Sequence, residues 1–429
     1  MNNKFFIFIL VLSLLAILGG GAYWFFILKE PSTETITETP ADLFPFDNET
    51  GEQNNPGNNS GTGGLNPIRN TPQPVLRQIT PEPVAGATAF AEASSTVIRY
   101  NERRLGDIFQ TTTNDSTLTR LDREVSEGIY DSYWVENGTA VVFRYVDQNT
   151  ERIRSIYGKL ILETPEIVED DVPLELPSWS FTAKPLVTEI RELAVSPSSE
   201  QMFTITPTAG GVDGIVMNPD GSSQTKIFDS PFSEWTASWP SEDTILIANK
   251  PQNTMDGYAY TLDTDTARLT RVLGPLPGLT VLMSPDEEVI LYSVTNSTRI
   301  STYLYDVRSG ATRAVPLAVL PEKCVWKGDS TVVYCGANTS MPVNSYPDAW
   351  YKGLMSFNDS LWSIDRESLT REELVNPFDF ARVEIDVIRP FLSENENYLY
   401  FINKKDSSLW SLQLAEEERV IVEDRESTE

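Results

Sequence analysis

Between residue 81 and the end of the chain, short apolar runs alternate with clusters of turn-forming residues. The clearest runs adjoin tight polar corners, as in LAVSPSSE at 193–200, SWPSED at 238–243, LMSPDEE at 282–288 and VWKGDS at 325–330. The runs are rich in β-branched and aromatic residues, which is typical of strands; they read AVVFRY, QMFTIT, TILIAN, VILYSV, TVVYCG and NYLYFIN. Long segments with a helical period are absent from the sequence of 81–429, so the pattern predicts an all-β domain.

The corners recur with a regular spacing. The intervals are 61, 43, 45, 43 and 66 residues, measured between Glu136, Pro197, Pro240, Pro285, Gly328 and Glu394. Each apolar run is followed by an alternating strand such as GYAYTLD and a more polar one such as ARLTRVL, and one further set of four strands occupies 84–123. Four strands in 43–45 residues is the period of a propeller blade. The count predicts a seven-bladed β-propeller of four-stranded antiparallel blades, with insertions in the two long intervals.

These repeats resemble those of TolB-type, WD40-like propellers. The resemblance is carried by SPSSE, SPDEE, YLYDV and LWSID, and it covers most of 81–424. It implies the fold strongly and an activity only weakly, because repeats of this kind occur in binding proteins and beside peptidases alike. The Gly-His and Trp-Asp signature of true WD40 proteins needs a histidine, and the chain has none.

The N-terminus predicts a membrane anchor. Phe5–Leu28 is a run of 24 uncharged residues, and about 20 apolar residues suffice to cross a bilayer. Lys4 precedes the run, which favours a cytoplasmic N-terminus and a propeller outside the cytoplasmic membrane of a bacterial-type cell. A cleaved signal peptide is the alternative, since Gly20-Gly21-Ala22 would suit a peptidase, but the apolar run continues beyond it. Residues 1–28 are therefore interpreted as a cytoplasmic stub and a signal-anchor helix.

Residues 29–80 have a different composition. They are rich in Thr, Asn, Gly and Pro, with more acidic than basic residues. Such a segment buries too little apolar surface to order itself, so we expect a disordered linker here and the propeller domain at 81–429. A flexible coil of this length would span on the order of 40 Å and hold the propeller clear of the membrane.

Charge and composition exclude several function classes. The formal net charge is −29, which repels phosphate backbones and argues against nucleic acid as a partner. Without histidine there is no Ser-His-Asp or Cys-His catalysis and no His-ligated metal. No motif indicates a cofactor, a metal site or a catalytic centre. The acidic insertion at 163–179 could in principle bind Ca²⁺, but its spacing matches no EF-hand loop and a solvated loop explains it better.

Two features remain as candidate sites. Cys324 and Cys335 flank the WKGDST corner, and a two-residue turn at Asp329-Ser330 would place them directly opposite, within reach of a disulfide; two reduced half-buried cysteines are the alternative. The second long interval contains an aromatic insertion at about 337–358, from which Tyr346, Trp350 and Tyr351 are the predicted contacts to a partner or ligand. The alternative is a self-packed loop whose aromatic rings cap the blade.

Three functions compatible with this organisation compete. The leading hypothesis is a membrane-tethered binding or scaffold module of the cell envelope, whose partner is an envelope protein or a glycan. The second is a hydrolase or lyase that acts on envelope polysaccharide through paired carboxylates, which would need two carboxylates near each other at the channel mouth. The third is a purely structural spacer with a featureless channel mouth.

Overall fold

Seven antiparallel sheets of four strands each make up the described part of the chain, so the predicted all-β, seven-bladed propeller is confirmed. The computed structural model describes residues 76–92, 95–113, 117–122, 128–163, 178–186, 189–296 and 298–414. The predicted anchor helix, the linker up to residue 75 and most of the acidic insertion lie outside these residues.

The first four sheets follow one another along the chain, each strand pairing with the next. Sheet 1 holds β2 (Val84–Glu92), β3 (Ser95–Glu102), β4 (Ile108–Thr112) and β5 (Thr119–Asp122), and the strand before them, β1 (Leu76–Thr80), belongs to sheet 7. Sheet 2 holds β6 (Ile129–Val135), β7 (Ala140–Val146), β8 (Ile153–Glu163) and β9 (Ser178–Pro185). Sheet 3 holds β10 (Glu192–Val195), β11 (Met202–Thr208), β12 (Gly211–Met217) and β13 (Thr225–Ser230). Sheet 4 holds β14 (Trp235–Ser241), β15 (Thr244–Asn249), β16 (Asp256–Asp263) and β17 (Leu269–Pro277).

The last three sheets continue the ring, and the seventh takes one strand, β1, from the beginning of the propeller. Sheet 5 holds β18 (Thr280–Met283), β19 (Val289–Asn296), β20 (Arg299–Asp306) and β21 (Thr312–Ala314). Sheet 6 holds β22 (Cys324–Trp326), β23 (Val332–Ala337), β24 (Ser360–Asp365) and β25 (Arg371–Val375). Sheet 7 holds β26 (Val387–Leu392), β27 (Tyr398–Asn403), β28 (Leu409–Gln413) and β1 (Leu76–Thr80).

Burial decreases from the second strand of each sheet to the fourth. The second strand β15 is buried at five of its six positions, because adjacent sheets cover both of its faces. The third strand β20 alternates between buried and more exposed positions, and the fourth strand β21 is exposed throughout. This order explains why the second strands have continuous apolar sequences, whereas the fourth strands are charged or Thr-rich.

The polar corners that marked the repeat connect the first strand of each sheet to the second. In three of them a serine hydroxyl accepts a hydrogen bond from the backbone N–H five residues later, at Ser196 (from Gln201, 3.0 Å), Ser284 (from Val289, 3.1 Å) and Ser393 (from Tyr398, 3.0 Å). Corners of neighbouring sheets also contact one another, since Ser198 N donates to Glu242 Oε1 at 2.7 Å. The motif therefore serves both the turn and the packing between sheets.

Strand β1 closes the ring and corrects the predicted domain boundary. The sequence predicts a propeller at 81–429 and a linker at 29–80, but Leu76–Thr80 pairs with β28, with Leu76 opposite Leu412. The seventh sheet thus joins the beginning of the propeller to its end. Leu76 is 6% exposed and packs into the core cluster between sheets 6 and 7.

Helices are short in the described ranges. They are α1 (Asp348–Tyr351) and α2 (Pro377–Ala381), accompanied by 3₁₀ turns at Glu136–Gly138 and Pro321–Lys323. In these ranges no helix has the length and apolar character needed to cross a membrane.

We expect loss of β1 to destabilise the propeller, because the edge of β28 would be left unpaired and the cluster around Leu76 would open. A chain beginning at residue 81 should melt well below one beginning at residue 70. Leu76→Ala should lower the free energy of unfolding by about 2–5 kcal/mol, whereas Arg77→Ala, on the half-exposed neighbouring position, should change it little. Chemical denaturation measures the stability of the two truncated chains and of the two variants. Equal stability of the chains beginning at 70 and at 81 would contradict the closure of the ring by β1.

Candidate functional site

One face of the propeller carries the aromatic insertion and the connections between successive sheets. Because the four strands of a sheet are antiparallel, the loop between its second and third strands lies at the same end as the connection to the next sheet. We call this end the insertion face. The predicted aromatic insertion lies between β23 and β24 and therefore belongs to it.

The aromatic insertion is self-packed, which corrects two of the three predicted contact residues. Tyr346 is 0% exposed and Trp350 4% exposed, and both rings pack with Phe357 at centroid distances of 5.8 and 6.3 Å. Ile300 of sheet 5 belongs to the same cluster. Apolar rings in a surface loop predict a contact surface, but in this protein the neighbouring sheets form a concave surface that buries the rings. Tyr346 and Trp350 thus hold the insertion in place.

Tyr351 is the predicted residue that stays accessible. It is 36% exposed, and its hydroxyl donates to Glu322 Oε1. At the other end of α1, the Asp348 carboxylate accepts a hydrogen bond from Asn253 N of the sheet 4 loop at 2.8 Å. Helix α1, which belongs to the insertion of sheet 6, thus also contacts the sheet 4 loop. We call residues 338–359 the cap.

Beneath the cap lies a buried ionic cluster that the sequence did not indicate. Lys323 Nζ lies 2.7 Å from Asp359 Oδ2 and also contacts Asp386 Oδ1. The three side chains are at most 2% exposed. Asp386 also accepts hydrogen bonds from Trp350 Nε1 (3.0 Å) and Phe357 N (3.0 Å). One cation thus faces two buried carboxylates. Asp386 receives more hydrogen bonds from the surrounding protein than Asp359 does.

The second carboxylate of this cluster is poorly compensated. Asp359 Oδ2 accepts from Val387 N at 2.7 Å, but Oδ1 has no hydrogen-bond partner among the described residues. Burial raises the pKa of Asp359 to about 6, against the opposing influence of Lys323 and with a smaller contribution from Asp386. Lys404 adds positive charge at the edge of the cluster, with Nζ 4.0 Å from the centre of the Trp350 ring.

The innermost strands enclose a central channel. A cavity of about 440 Å³ is lined by residues from the first strands of sheets 2 to 7, including Tyr133, Leu193, Trp239, Leu282 and Arg389. Its walls are mostly apolar, and Glu322 beside the cap also lines it. The volume is within the range of small-molecule sites in proteins.

Two arginines share one carboxylate at the channel mouth. Arg144, 6% exposed, donates through Nε to Asp131 Oδ2 at 3.1 Å. Arg389 contacts the other oxygen of the same carboxylate. Both guanidinium groups also lie over the ring of Tyr133, at 5.3 and 5.2 Å. Asp131 balances one of these two charges, and Glu192, which interacts with Arg144, is the next carboxyl group.

Carboxyl groups with raised pKa values lie near these arginines. Burial raises the pKa of Glu192 to about 7, although a hydrogen bond from Ala237 N at 3.2 Å and the charges of Arg144 and Lys250 oppose the shift. Burial also raises the pKa of Glu322, whose partner is Tyr351. Desolvated groups that titrate near neutral pH are frequent at functional sites.

Cys324 and Cys335 are directly opposite each other in the β22–β23 pair, as the sequence predicted for a disulfide. Their Cα atoms are 4.1 Å apart and their sulfurs are placed at bonding distance. The connecting turn is longer than the expected two residues, because Lys327 N donates to Val332 O; a four-residue loop centred on the same point leaves the register unchanged. The disulfide in the cell stays a prediction.

Metal binding has no support in the parts of the chain that the structure describes, where no group of three or more Cys, Asp or Glu side chains is arranged to hold an ion. Of the acidic insertion, Glu163 ends β8 and residues 164–177 lie outside those parts.

The sequence contained one overlooked signal for the channel mouth. The first strands of the sheets have apolar or small side chains at most positions, but β26 reads VIRPFL and β6 reads IYDSYWV. A charged residue within an innermost strand, followed by proline in β26, is an exception to the pattern. By contrast, nothing local marks Lys323, Asp359 and Asp386, which come from three different connections.

No protein-family model and no curated protein matches the chain. Solved structures similar to it include TolB from Acinetobacter baumannii, with 10% identity and a TM-score of 0.40 over 63% of this chain and 59% of that one. Another is an oligogalacturonate lyase from Vibrio parahaemolyticus, with 9% identity and a TM-score of 0.49 over 80% of this chain and 94% of that one. A third is the β-propeller domain of the Trilobed protease from Pyrococcus furiosus, with 11% identity and a TM-score of 0.46 over 80% of this chain and 98% of that one. The chain thus resembles TolB and other β-propeller proteins in fold. The match spans about three fifths of the length of the TolB chain.

We expect Trp350→Ala to lower the free energy of unfolding by about 3–5 kcal/mol, since the change removes a buried ring and a hydrogen-bond donor to Asp386. Leu354→Ala, in the same insertion but 76% exposed, should have little effect. Denaturant titration of both variants measures the difference. An unchanged stability of the Trp350 variant would show that the cap is a contact surface after all.

Protonation of Asp359 should stabilise the folded protein. Its pKa in the folded state, about 6, is above its ordinary value of 3.8, so its contribution is fully present below about pH 4 and is lost as the pH rises through 6. The shift corresponds to at most about 3 kcal/mol. When the pH is lowered from 7.5 to 5, the free energy of unfolding of the wild type should therefore rise relative to that of the Asp359→Asn variant. Asp379→Asn, an exposed control, should give a curve parallel to the wild type, and parallel curves for both variants would refute the assignment.

Proposed function

We propose that this chain is a membrane-tethered, extracytoplasmic binding or scaffold module of the cell envelope. One observation carries the binding role: the channel cavity of about 440 Å³ combines apolar walls with the accessible side chain of Arg389. A featureless polar mouth, expected of a simple spacer, does not fit this arrangement. Rigid propellers commonly carry their binding groups at one face, where loops from several sheets meet.

Tethering is supported by the sequence. The 24 uncharged residues of Phe5–Leu28 are long enough to span a bilayer, and Lys4 favours a cytoplasmic N-terminus. The linker would then present the propeller to partners at a distance from the membrane. An envelope protein or glycan is the partner class, and the net charge of −29 disfavours nucleic acid.

A channel-blocking variant tests the binding role in the full-length protein, solubilised in detergent and incubated with envelope extract. Ser238 lines the cavity, so Ser238→Trp should abolish capture of the partner by occupying the channel. Ser178→Trp makes the same change at an exposed position of the outermost strand β9 and should leave capture intact. Melting temperatures establish that both variants are folded. Equal capture by a folded Ser238→Trp protein would contradict a channel site.

A hydrolase or lyase acting on envelope polysaccharide is the second candidate. The observation that favours it is the pair Glu192 and Glu322, both desolvated near the channel mouth, of which Glu192 has a pKa of about 7. Release of new sugar ends from envelope polysaccharide by the wild type, and its loss in Glu192→Gln with partner capture retained, would favour this reading.

A further inference from the structure

Arg389 occupies an unusual backbone position. It lies within β26, where the pairing with β27 shifts register between Ile388 and Phe391, and its φ angle is 50°. Side chains other than glycine seldom adopt this left-handed conformation, least of all inside a strand before proline. The bulge turns the guanidinium away from its own sheet, so that Nη1 donates to Ala85 O of sheet 1 at 2.9 Å.

The two guanidinium groups at the mouth differ in how many of their nitrogens have a hydrogen-bond acceptor. Arg144 donates through three nitrogens, to the Asp131 carboxylate, to the Ile190 and Arg191 carbonyls, and to Tyr133. Arg389 contacts Ala85, Ser132 and Asp131 through its two Nη atoms, but its Nε finds no acceptor within the described part of the chain. The Arg389 side chain is 38% exposed, and the residue lines the channel cavity.

The surroundings favour an additional negative charge. Asp131 already balances Arg144, and Arg103 adds further positive charge near Arg389. Burial, followed by the repulsion from Arg103, lowers the pKa of Arg389 to about 10. Arginine binds carboxylates through two parallel hydrogen bonds, and such bonds are strong where water is largely excluded.

The remaining wall of the cavity is mostly apolar, with Thr236, Ser238 and Glu322 as its polar members. Leu193, Trp239, Val281 and Leu282 line it, together with the ring of Tyr133. A ligand with one anionic end and an apolar body matches this lining.

We propose that the channel binds a carboxylate attached to an apolar body, with the carboxylate held by Arg389 and the body against the innermost strands. This inference rests on the proposed binding function and specifies its ligand class. The free C-terminus of a peptide and a simple aryl or acyl acid share this chemistry.

Affinity for such a ligand should depend on pH. Arg103, Tyr130 and Asp131 interact directly with Arg389, whereas Glu192 interacts with Tyr130, Tyr133, Tyr351, Arg144 and Lys250. Because the pKa of Glu192 is about 7, lowering the pH from 8 to 6 removes a negative charge while the ligand stays ionised. The bound carboxylate should then be held more tightly, and Glu192→Gln should remove most of this dependence.

Three matched probes test the proposal by calorimetry on the full-length protein in detergent: N-acetylphenylalanine, its C-terminal amide, and 3-phenylpropionate. Binding of N-acetylphenylalanine at least tenfold tighter than its amide is expected, and Arg389→Met should abolish that preference. Arg382→Met is the matched control, since Arg382 also has a positive φ and lies over an aromatic ring, but at the exposed end of α2. Comparable binding of 3-phenylpropionate would identify a simple acid as sufficient, and its absence would point to a peptide C-terminus.

The outcomes separate the ligand class from the binding function. Equal affinity for the acid and the amide, or no binding of any probe, would overturn the carboxylate site. If partner capture is nevertheless lost in Ser238→Trp, the binding function stands without it. The comparison of acid with amide uses the wild type alone, so it decides the question even if Arg389→Met does not fold.

Discussion

Closure of the ring is the constraint on which the rest of this structure depends. Each sheet buries its faces against two neighbours, so an unclosed ring would leave two apolar faces in water. The chain meets this requirement by pairing β1 with β28, which ties the beginning of the propeller to its end. The positions of the innermost strands, and with them the channel and the groups at its mouth, follow from that closure.

The buried ionic cluster shows how the ring accommodates a polar interior. Lys323, Asp359 and Asp386 come from the connections on either side of sheet 6 and from the end of the cap. Desolvating three charges is costly, and a cluster with two carboxylates and one lysine is not fully compensated. Trp350 and backbone N–H groups offset part of this cost at Asp386, which explains why the cap folds inward around its own aromatic rings.

The fold was predictable from the sequence because it is repetitive. Six copies of the corner and a seventh set of strands average out local ambiguity, and even the register of Cys324 and Cys335 followed from the position of one turn. The strand Leu76–Thr80 escaped prediction because it is short, lies next to a linker-like composition and pairs with residues more than 300 positions away. For the same reason, the burial of Tyr346 and Trp350 could not be read from their own segment: it depends on Ile300 and Leu320 in neighbouring parts of the ring.

The channel mouth contains two neighbouring arginines, whereas the molecule as a whole is strongly acidic. A surface with a net charge of −29 repels anions at a distance, yet Arg144 and Arg389 are both directed at a single carboxylate within the ring. Stability alone does not require this, since one arginine would neutralise Asp131 and a left-handed residue inside β26 is itself unfavourable. Strain of that kind persists where the surrounding structure enforces it, and here sheets 1, 2 and 7 all contribute contacts. Asp131 alone does not balance both arginines when Glu192 is protonated, and a ligand carboxylate at Arg389 would then complete the charge balance.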